Sequence, residues 1–176
     1  MEALTVRPPH DADMAAVTAI YAHYVEAGTS SFETVAPDEA EMRRRWRLLI
    51  EDQYPCFVAE HGGDVCGFAY AGPYRVRPAY RHTVENSVYV ERAARQGGIG
   101  TVLLRTLVQA CTDQGFRQMV AIMAESEHPA SIRLHLAAGF EMVGTLRNVG
   151  YKHGRWLDTV LMQRELGEGA RSPPEM

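Results

Sequence analysis

Hydrophobic and polar positions along the first half of the chain predict one strand, two helices and a hairpin. A short alternation at 4–7 is typical of a strand. Apolar residues recur at helical spacing over 14–24 and again over 42–50. Two apolar runs, 56–60 and 65–70, flank the sequence His-Gly-Gly-Asp, which is typical of a hairpin turn.

The second half of the chain alternates between predicted strands and helices. Mixing hairpins with strand–helix–strand connections implies an α/β fold with a mixed sheet and helices on both faces. We expect a single domain over 1–166, followed by a polar, proline-containing tail at 167–176 that is disordered. The predicted elements are a strand at 83–90, a helix from near 98 to near 115, a strand at 118–123, a helix at 129–138 and closing strands at 142–146 and 157–162.

Composition narrows the range of functions. The 176 residues carry a net charge of -4, whereas a nucleic-acid-binding protein normally has a basic excess. No signal peptide is evident, and no apolar run approaches the length of about 18 residues that a membrane span needs. Three cysteines (Cys56, Cys66 and Cys111) lie in apolar positions without metal-type spacing, which indicates core thiols in a reducing compartment. We therefore expect a cytoplasmic protein with no metal, no nucleic-acid partner and no membrane partner.

The segment between the strand at 83–90 and the next helix is rich in glycine. Gly97, Gly98 and Gly100 let the backbone approach an anion, and the helix behind them offers unpaired N–H groups. The segment is equally compatible with a tight turn that binds nothing. A P-loop is excluded because Gly100 is not followed by Lys-Ser/Thr. A dinucleotide-binding loop is excluded because Leu103 stands where its third glycine belongs.

Four segments together resemble the GNAT N-acetyltransferase superfamily. The Arg-x-x-Gly-x-Gly sequence at 95–100 resembles its acetyl-CoA pyrophosphate loop. Residues 77–90 resemble the central strand of the branch that acetylates phosphinothricin and methionine sulfoximine. Residues 131–140 and 150–158 resemble the last helix and the C-terminal hairpin of that branch. The resemblance extends over about 4–166.

The resemblance implies a sheet whose two central parallel strands splay apart to form a cleft for acetyl-CoA. The main chain of 88–90 would pair with the pantetheine arm, and 96–101 would hold the pyrophosphate. His128 stands where many members have an asparagine near this arm, so it could instead cap the following helix. The implied cofactor-binding residues are Val88, Tyr89, Val90, Arg95, Gln96, Gly97, Gly98, Ile99, Gly100, Thr101, His128 and Ser131.

Two residues are candidates for the chemistry. Glu85 matches the general base of this branch, although a free carboxyl with a pKa of about 4.3 is a poor base for an amine. The cleft must raise its pKa, or a water molecule must relay the proton. His135 lies where many relatives have the tyrosine that protonates the leaving sulfur, and imidazole suits such a role near neutral pH. Without the resemblance, Glu85 would be interpreted as a solvated strand residue and His135 as a packed helix residue.

The resemblance also predicts where a small amino-acid-like amine would bind. Arginine matches carboxylates with paired hydrogen bonds, so Arg75 and Arg77 are candidates, with Phe32 and Tyr80 as apolar walls. Either arginine could instead be a solvated loop charge. Glu85, Asn86 and Ser87 complete the predicted substrate-binding set.

Other interpretations of the function remain open at this point. The acceptor could be another amine, such as a protein N-terminus, a polyamine or an aminoglycoside. The protein could also be a non-catalytic acyl-CoA sensor or a generic nucleotide-binding module. Relatives commonly form dimers, so a homodimer is expected. Lys152, His153 and Arg155 could reach the site, but they are interpreted as surface residues of the C-terminal hairpin.

Overall fold

Seven strands form one mixed sheet in the computed structural model, in the order β1-β2-β3-β4-β5-β7-β6. The structure describes residues 4–95, 97–124 and 129–174, without the side chain of Pro129. The predicted fold class is confirmed. The strands are β1 (Thr5–Arg7), β2 (Cys56–His61), β3 (Asp64–Pro73), β4 (Thr83–Val90), β5 (Gln118–Ala124), β6 (Glu141–Lys152) and β7 (Arg155–Glu165), and the helices are α1 (Met14–Ala27), α2 (Glu39–Glu51), α3 (Ile99–Asp113) and α4 (Pro129–Ala137).

The sheet buries apolar side chains on both faces. Neighbouring residues of a strand point to opposite faces, and Phe68 and Ala69 of β3 illustrate this alternation. Phe68 packs with Trp46 in the cluster formed by α1 and α2. Ala69 belongs to the opposite cluster, which contains Leu103 of α3. The helices therefore cover both faces, as the sequence predicted.

The central strands β4 and β5 separate soon after they meet. They are parallel and pair at only three positions, Thr83 with Gln118, Val84 with Met119 and Glu85 with Val120. Strand β4 continues to residue 90 and β5 to residue 124 without further pairing to each other. A cleft opens between the unpaired halves, at the side of the sheet from which α3 starts.

The C-terminal hairpin is longer than predicted. The prediction relied on the alternation of polar and apolar residues, and this alternation is interrupted in the outer strand, β6. Strand β6 has 12 residues and β7 has 11. Two register shifts interrupt β6, between Met142 and Gly144 and between Leu146 and Gly150. Since β6 is an edge strand and exposed over 141–149, its pattern of polar and apolar residues is not set by a buried face.

Residues 167–174, which the sequence predicted to be disordered, make hydrogen bonds to one arginine. The guanidinium of Arg117 donates to the carbonyl oxygens of Gly169 (3.4 Å) and Pro173 (3.2 Å) and to the hydroxyl of Ser172 (3.2 Å). The tail therefore packs beside the start of β5 in this structure.

Candidate active site

The cleft between β4 and β5 has a volume of about 890 Å³ and contains most of the predicted site residues. Its walls come from β4, β5, the start of α3, α4, and the connection between α1 and α2. The predicted residues that line it are Phe32, Glu85, Asn86, Ser87, Val88, Tyr89, Val90, Arg95, Gly98, Ile99, Gly100, Thr101, Ser131 and His135. Gln96 and His128 lie outside the described residues.

The glycine-rich loop ends in the geometry of an anion site. Gly98 is the N-cap of α3 and has a φ of 75°, in the left-handed region that glycine adopts most readily. The first N–H groups of a helix have no acceptor within it, so those of Ile99 and Gly100 remain available at the cleft. At Gly100, an added Cβ would lie 3.4 Å from a δ carbon of Leu134, so α4 packs closely against this turn.

The main chain of β4 presents polar groups to the cleft at alternate residues. The N–H of Glu91 donates to a β3 carbonyl at 2.9 Å, so the N–H and C=O groups of Val88 and Val90 face the other side. At Val90 these groups already bond to the hydroxyl of Tyr24, which donates to the carbonyl (2.6 Å) and accepts from the N–H (3.2 Å). The guanidinium of Arg95 lies 5.1 Å from the centre of the Tyr24 ring. Tyr24 thus holds the end of β4 beside the glycine-rich loop.

Glu85 presents a carboxyl group with a perturbed pKa to the cleft. Burial raises the pKa of this carboxyl, and the positive charge of Arg75 acts in the opposite direction. Within the described residues, no side chain or main-chain group donates a hydrogen bond to it. A carboxyl with a raised pKa and no fixed partner is suited to accept a proton from a substrate.

His135 of α4 is buried, with 4% of its surface exposed. Its Nδ1 lies 2.8 Å from the carbonyl oxygen of Ser131, and its Nε2 lies 3.0 Å from Oδ1 of Asn86. The amide Nδ2 of Asn86 donates to the carbonyl of Val120 at 3.1 Å. Burial lowers the pKa of His135, while the hydrogen bond to Ser131 raises it. Both ring nitrogens are therefore engaged by other groups in this structure.

The connection between α1 and α2 forms one wall of the cleft and is held by a polar network. The hydroxyl of Tyr21 lies 2.9 Å from that of Ser31 and donates to Glu33 at 2.8 Å. Glu33 in turn forms an ion pair with Arg45 of α2 at 2.6 Å. The side chain of Phe32 lies on this wall.

Sequence reasoning missed several residues that line the cleft. Tyr21 and Tyr24 were interpreted only as part of the apolar stripe of α1, and their hydroxyls could have signalled a polar role. The other missed residues are Ser30, Ser31, Tyr70, Ala94, Ala121, Ile122, Met123, Ala124, Ala130, Arg133, Leu134, Ala137 and Thr159.

Three predicted substrate-binding residues, and one glycine of the loop, are not among the residues that line the cleft. Arg75, Arg77 and Tyr80 are exposed on the connection between β3 and β4, and Gly97 is exposed in the glycine-rich loop. The guanidinium of Arg75 stacks on Tyr74, 5.1 Å from the ring centre. The positive charge of Arg75 lowers the pKa of Glu85, which lines the cleft. Their role in binding a substrate stays a prediction.

Comparison with known proteins identifies the fold and the donor. The family described as Acetyltransferase (GNAT) domain matches residues 6–161. The chain belongs to this family. A phosphinothricin N-acetyltransferase from Alcaligenes faecalis is 49% identical over 98% of the chain and 88% of the relative. An L-methionine sulfoximine/L-methionine sulfone acetyltransferase from Salmonella typhimurium is 40% identical over 95% of the chain and 97% of the relative.

A solved structure of a GNAT phosphinothricin acetyltransferase from Sinorhizobium meliloti, in complex with AcCoA, has a TM-score of 0.94 to this GNAT chain. It is 46% identical and covers 98% of this chain and 93% of that one. The expectations of a GNAT fold, an acetyltransferase activity and acetyl-CoA as the donor are thereby confirmed. In the described stretches of the chain, no three His, Cys, Asp or Glu side chains are grouped as a metal site requires. The catalytic and binding roles of individual residues stay predictions.

Proposed function

We propose that this GNAT enzyme transfers the acetyl group of acetyl-CoA to the amine of phosphinothricin, methionine sulfoximine or a similar amino acid. The observation that carries the proposal is the carboxyl of Glu85, which has a raised pKa and lies in the cleft between the separated strands. The relatives described above, which act on such compounds according to their names, support the choice of acceptor.

In the proposed mechanism Glu85 accepts a proton from the substrate ammonium, directly or through water. The neutral nitrogen then forms a bond to the thioester carbonyl carbon, the carbon–sulfur bond of the donor breaks, and the nitrogen releases its second proton to water as the amide forms. His135 supplies a proton to the departing sulfur when its ring is protonated, which requires Nε2 to exchange its contact with Asn86 for one with the sulfur. The raised pKa of Glu85 supports its part, because a base works best when its pKa approaches the working pH.

The donor is proposed to bind along β4 and at the start of α3. The main chain of Val88 offers an N–H and a C=O to the amide groups of the pantetheine arm, while Val90 would share its groups with Tyr24. The N–H groups at the start of α3 and the side chain of Arg95 would bind the pyrophosphate. In the same proposal, Gln96 to Thr101 form this loop, and Ser131 of α4 contacts the arm, with His128 as a further candidate.

The acceptor is proposed to bind between Phe32 and the connection that carries Arg75, Arg77 and Tyr80. An amino acid brings a carboxylate, and phosphinothricin or methionine sulfoximine brings a second polar head group. The charge of Arg75, close enough to affect the pKa of Glu85, supports a position for this arginine at the mouth of the cleft.

The edge strand β6 supports a homodimer. It carries five large apolar side chains that are mostly exposed, and it has an unpaired edge that could bind a second copy of the strand. Val143→Lys should weaken the dimer at least about tenfold, since it places a charge in the interface. Val35→Lys, at an exposed valine outside β6, should leave it unchanged. Light scattering against protein concentration measures both variants, and a monomer at all concentrations would contradict the proposal. The five side chains are Met142, Val143, Leu146, Val149 and Tyr151.

A reducing location, the cytoplasm, is also proposed. All three cysteines are free and buried, and burial raises the pKa of Cys56 and of Cys111 to about 12. Such thiols are protonated and unreactive at neutral pH. The helices of the described chain offer no segment with the length and apolar character of a membrane span.

The test is a panel of acceptors with acetyl-CoA, followed by release of free thiol. Phosphinothricin, methionine sulfoximine and methionine sulfone should be acetylated with the highest kcat/KM. A polyamine, an aminoglycoside and a peptide with a free N-terminus form the second arm. Higher kcat/KM for a compound of that second arm would contradict the proposed substrate. Binding of acetyl-CoA without turnover of any amine would contradict the catalytic proposal.

A further inference from the structure

The side chain of Phe32 packs directly on the backbone of β6 at Gly150. An added Cβ at position 150 would lie 2.7 and 2.9 Å from two carbons of the Phe32 ring, and closer still to a third. Contacts below 3.0 Å do not occur for real Cβ atoms, so any other residue at 150 must displace the ring. The ring also lines the cleft and has 42% of its surface exposed. Gly150 therefore determines where this part of the cleft wall lies.

The hairpin that carries Gly150 also holds the main chain on which Phe32 lies. Lys152 is buried, with 5% exposure, and its ammonium donates to the carbonyl of Ser31 at 2.7 Å. Nε2 of His153 lies 3.2 Å from the carbonyl oxygen of Gly28. The interpretation of Lys152 and His153 as surface residues was therefore wrong for Lys152, and His153 contacts the same segment.

These contacts restrict how the protein can respond to a side chain at 150. The main chain of Ser31 is held by Lys152 on one side, and its hydroxyl is held by Tyr21 on the other. Moving the whole segment would break buried hydrogen bonds, each of which contributes about 0.5–1.5 kcal/mol. Rotating the half-exposed ring of Phe32 breaks none of them. The ring is therefore the part that moves.

We propose that Gly150 is a specificity-determining residue of this enzyme, because its missing side chain lets the Phe32 ring pack against β6 and so sets the length of acceptor that the cleft admits. Neither Gly150 nor Lys152 lines the cleft, so they act through Phe32 and its segment. Since the acceptor contacts Phe32 only if the proposed function holds, the experiment compares variants on amines that the unmodified enzyme already acetylates.

The experiment uses Gly150→Ala and the matched control Gly144→Ala on the same strand. An added Cβ at 144 meets no atom within 4 Å, whereas at 150 it meets the Phe32 ring. The measured quantity is the ratio of kcat/KM for two accepted amines that differ by one or two methylene groups. Gly150→Ala should change this ratio about tenfold, the usual effect of a methylene in an apolar pocket. Gly144→Ala should leave it within about twofold, and acetyl-CoA affinity should be unchanged in both.

The same substitution is also made in the Phe32→Ala variant, so that the test does not depend on whether Gly150→Ala alone folds. In Phe32→Ala there is no ring to displace, so Gly150→Ala added to it should fold and should leave the ratio within about twofold of Phe32→Ala alone. A ratio in Gly150→Ala equal to that of the unmodified enzyme would overturn the proposal. A tenfold change that persists in the Phe32→Ala background would overturn it as well. If the unmodified enzyme does not acetylate the proposed substrates, the proposed function is wrong. That result is obtained before any variant is made, so it is distinct from failure of the proposal about Gly150.

Discussion

The Nε2 atom of His135 lies 3.0 Å from Oδ1 of Asn86, and this contact favours the protonated form of the histidine against the effect of burial. A carbonyl oxygen only accepts, so Nδ1, which faces Ser131, must carry a proton. Asn86 donates through Nδ2 to Val120, which leaves its oxygen facing Nε2. In a neutral ring protonated at Nδ1, Nε2 is an acceptor that faces the acceptor Oδ1 of Asn86. An imidazolium ring donates from both nitrogens, to Ser131 and to Asn86. Hydrogen bonding favours the charged ring, while burial favours the neutral ring.

Two substitutions at Asn86 should move the pKa of His135 in opposite directions. Asn86→Asp places a negative charge beside Nε2 and should raise the pKa by about 1–3, because an adjacent opposite charge stabilises imidazolium. Asn86→Ala removes the acceptor and should lower the pKa, because a buried N–H is left unpaired. Both variants lose the bond to Val120. Titration of the His135 ring signals by NMR measures the effect, and shifts in the same direction would contradict this account.

Glu85→Gln tests the proposed base. Glutamine keeps the shape of the side chain but cannot accept the ammonium proton. We expect kcat to fall by about 10²–10⁴-fold, the usual contribution of general acid–base catalysis. The melting temperature and acetyl-CoA affinity should change little. A folded variant with normal kcat between pH 6 and about 9 would exclude Glu85 as the base, and the proton would then have to leave by another route.

Arg75→Ala should move the pH dependence of the enzyme. The charge of Arg75 lowers the pKa of Glu85, so its removal raises that pKa further. A base acts in its deprotonated form, and activity is lost as the pH falls through its pKa. The acidic limb of kcat/KM should therefore move to higher pH in Arg75→Ala.

Arg77→Ala is the control for that shift, because it removes an exposed arginine from the same connection. Its acidic limb should stay in place. Since Arg75 is exposed, the difference between the variants should diminish at high ionic strength. An unmoved limb in Arg75→Ala would show that the two charges do not interact in solution.

Gly98→Ala tests the anion site at the start of α3, with Gly115→Ala as its control at the other end of that helix. Both glycines have positive φ, 75° and 84°, and neither added Cβ meets an atom within 4 Å. Each variant should lose about 1–2 kcal/mol of stability, because a left-handed conformation is unfavourable for alanine. Only Gly98→Ala should weaken acetyl-CoA binding, since Gly98 lines the cleft and Gly115 does not. Calorimetry and thermal melts measure both effects, and equal losses of affinity would contradict the assignment.

The central strand and the glycine-rich loop could be predicted closely from the sequence. Strand β4 has the predicted bounds, 83–90. The start of α3 at Ile99 follows from the glycines before it. Both features depend on residues close together in the chain, and local patterns report such features well.

The features that the sequence did not predict depend on contacts between distant residues. Lys152 is buried because it reaches Ser31, 121 positions away. A lysine in a hairpin normally indicates a surface, and no pattern near it reveals this partner. Tyr24 likewise looks like one residue of an apolar helical stripe, until its hydroxyl is found on the main chain of Val90.

The three residue pairs between β4 and β5 are the only strand pairing in the described chain that joins β1–β4 to β5–β7. The two parts of the sheet are thus hydrogen-bonded to each other along one short line. Acetyl-CoA bound between the two parts would contact both of them. Its binding should therefore raise the free energy of unfolding. The amide proton of Val88, which faces the gap, should exchange rapidly with water in the free enzyme and slowly when acetyl-CoA is bound. The exchange rate of this one proton would then report, without any assay of catalysis, whether the donor is in place.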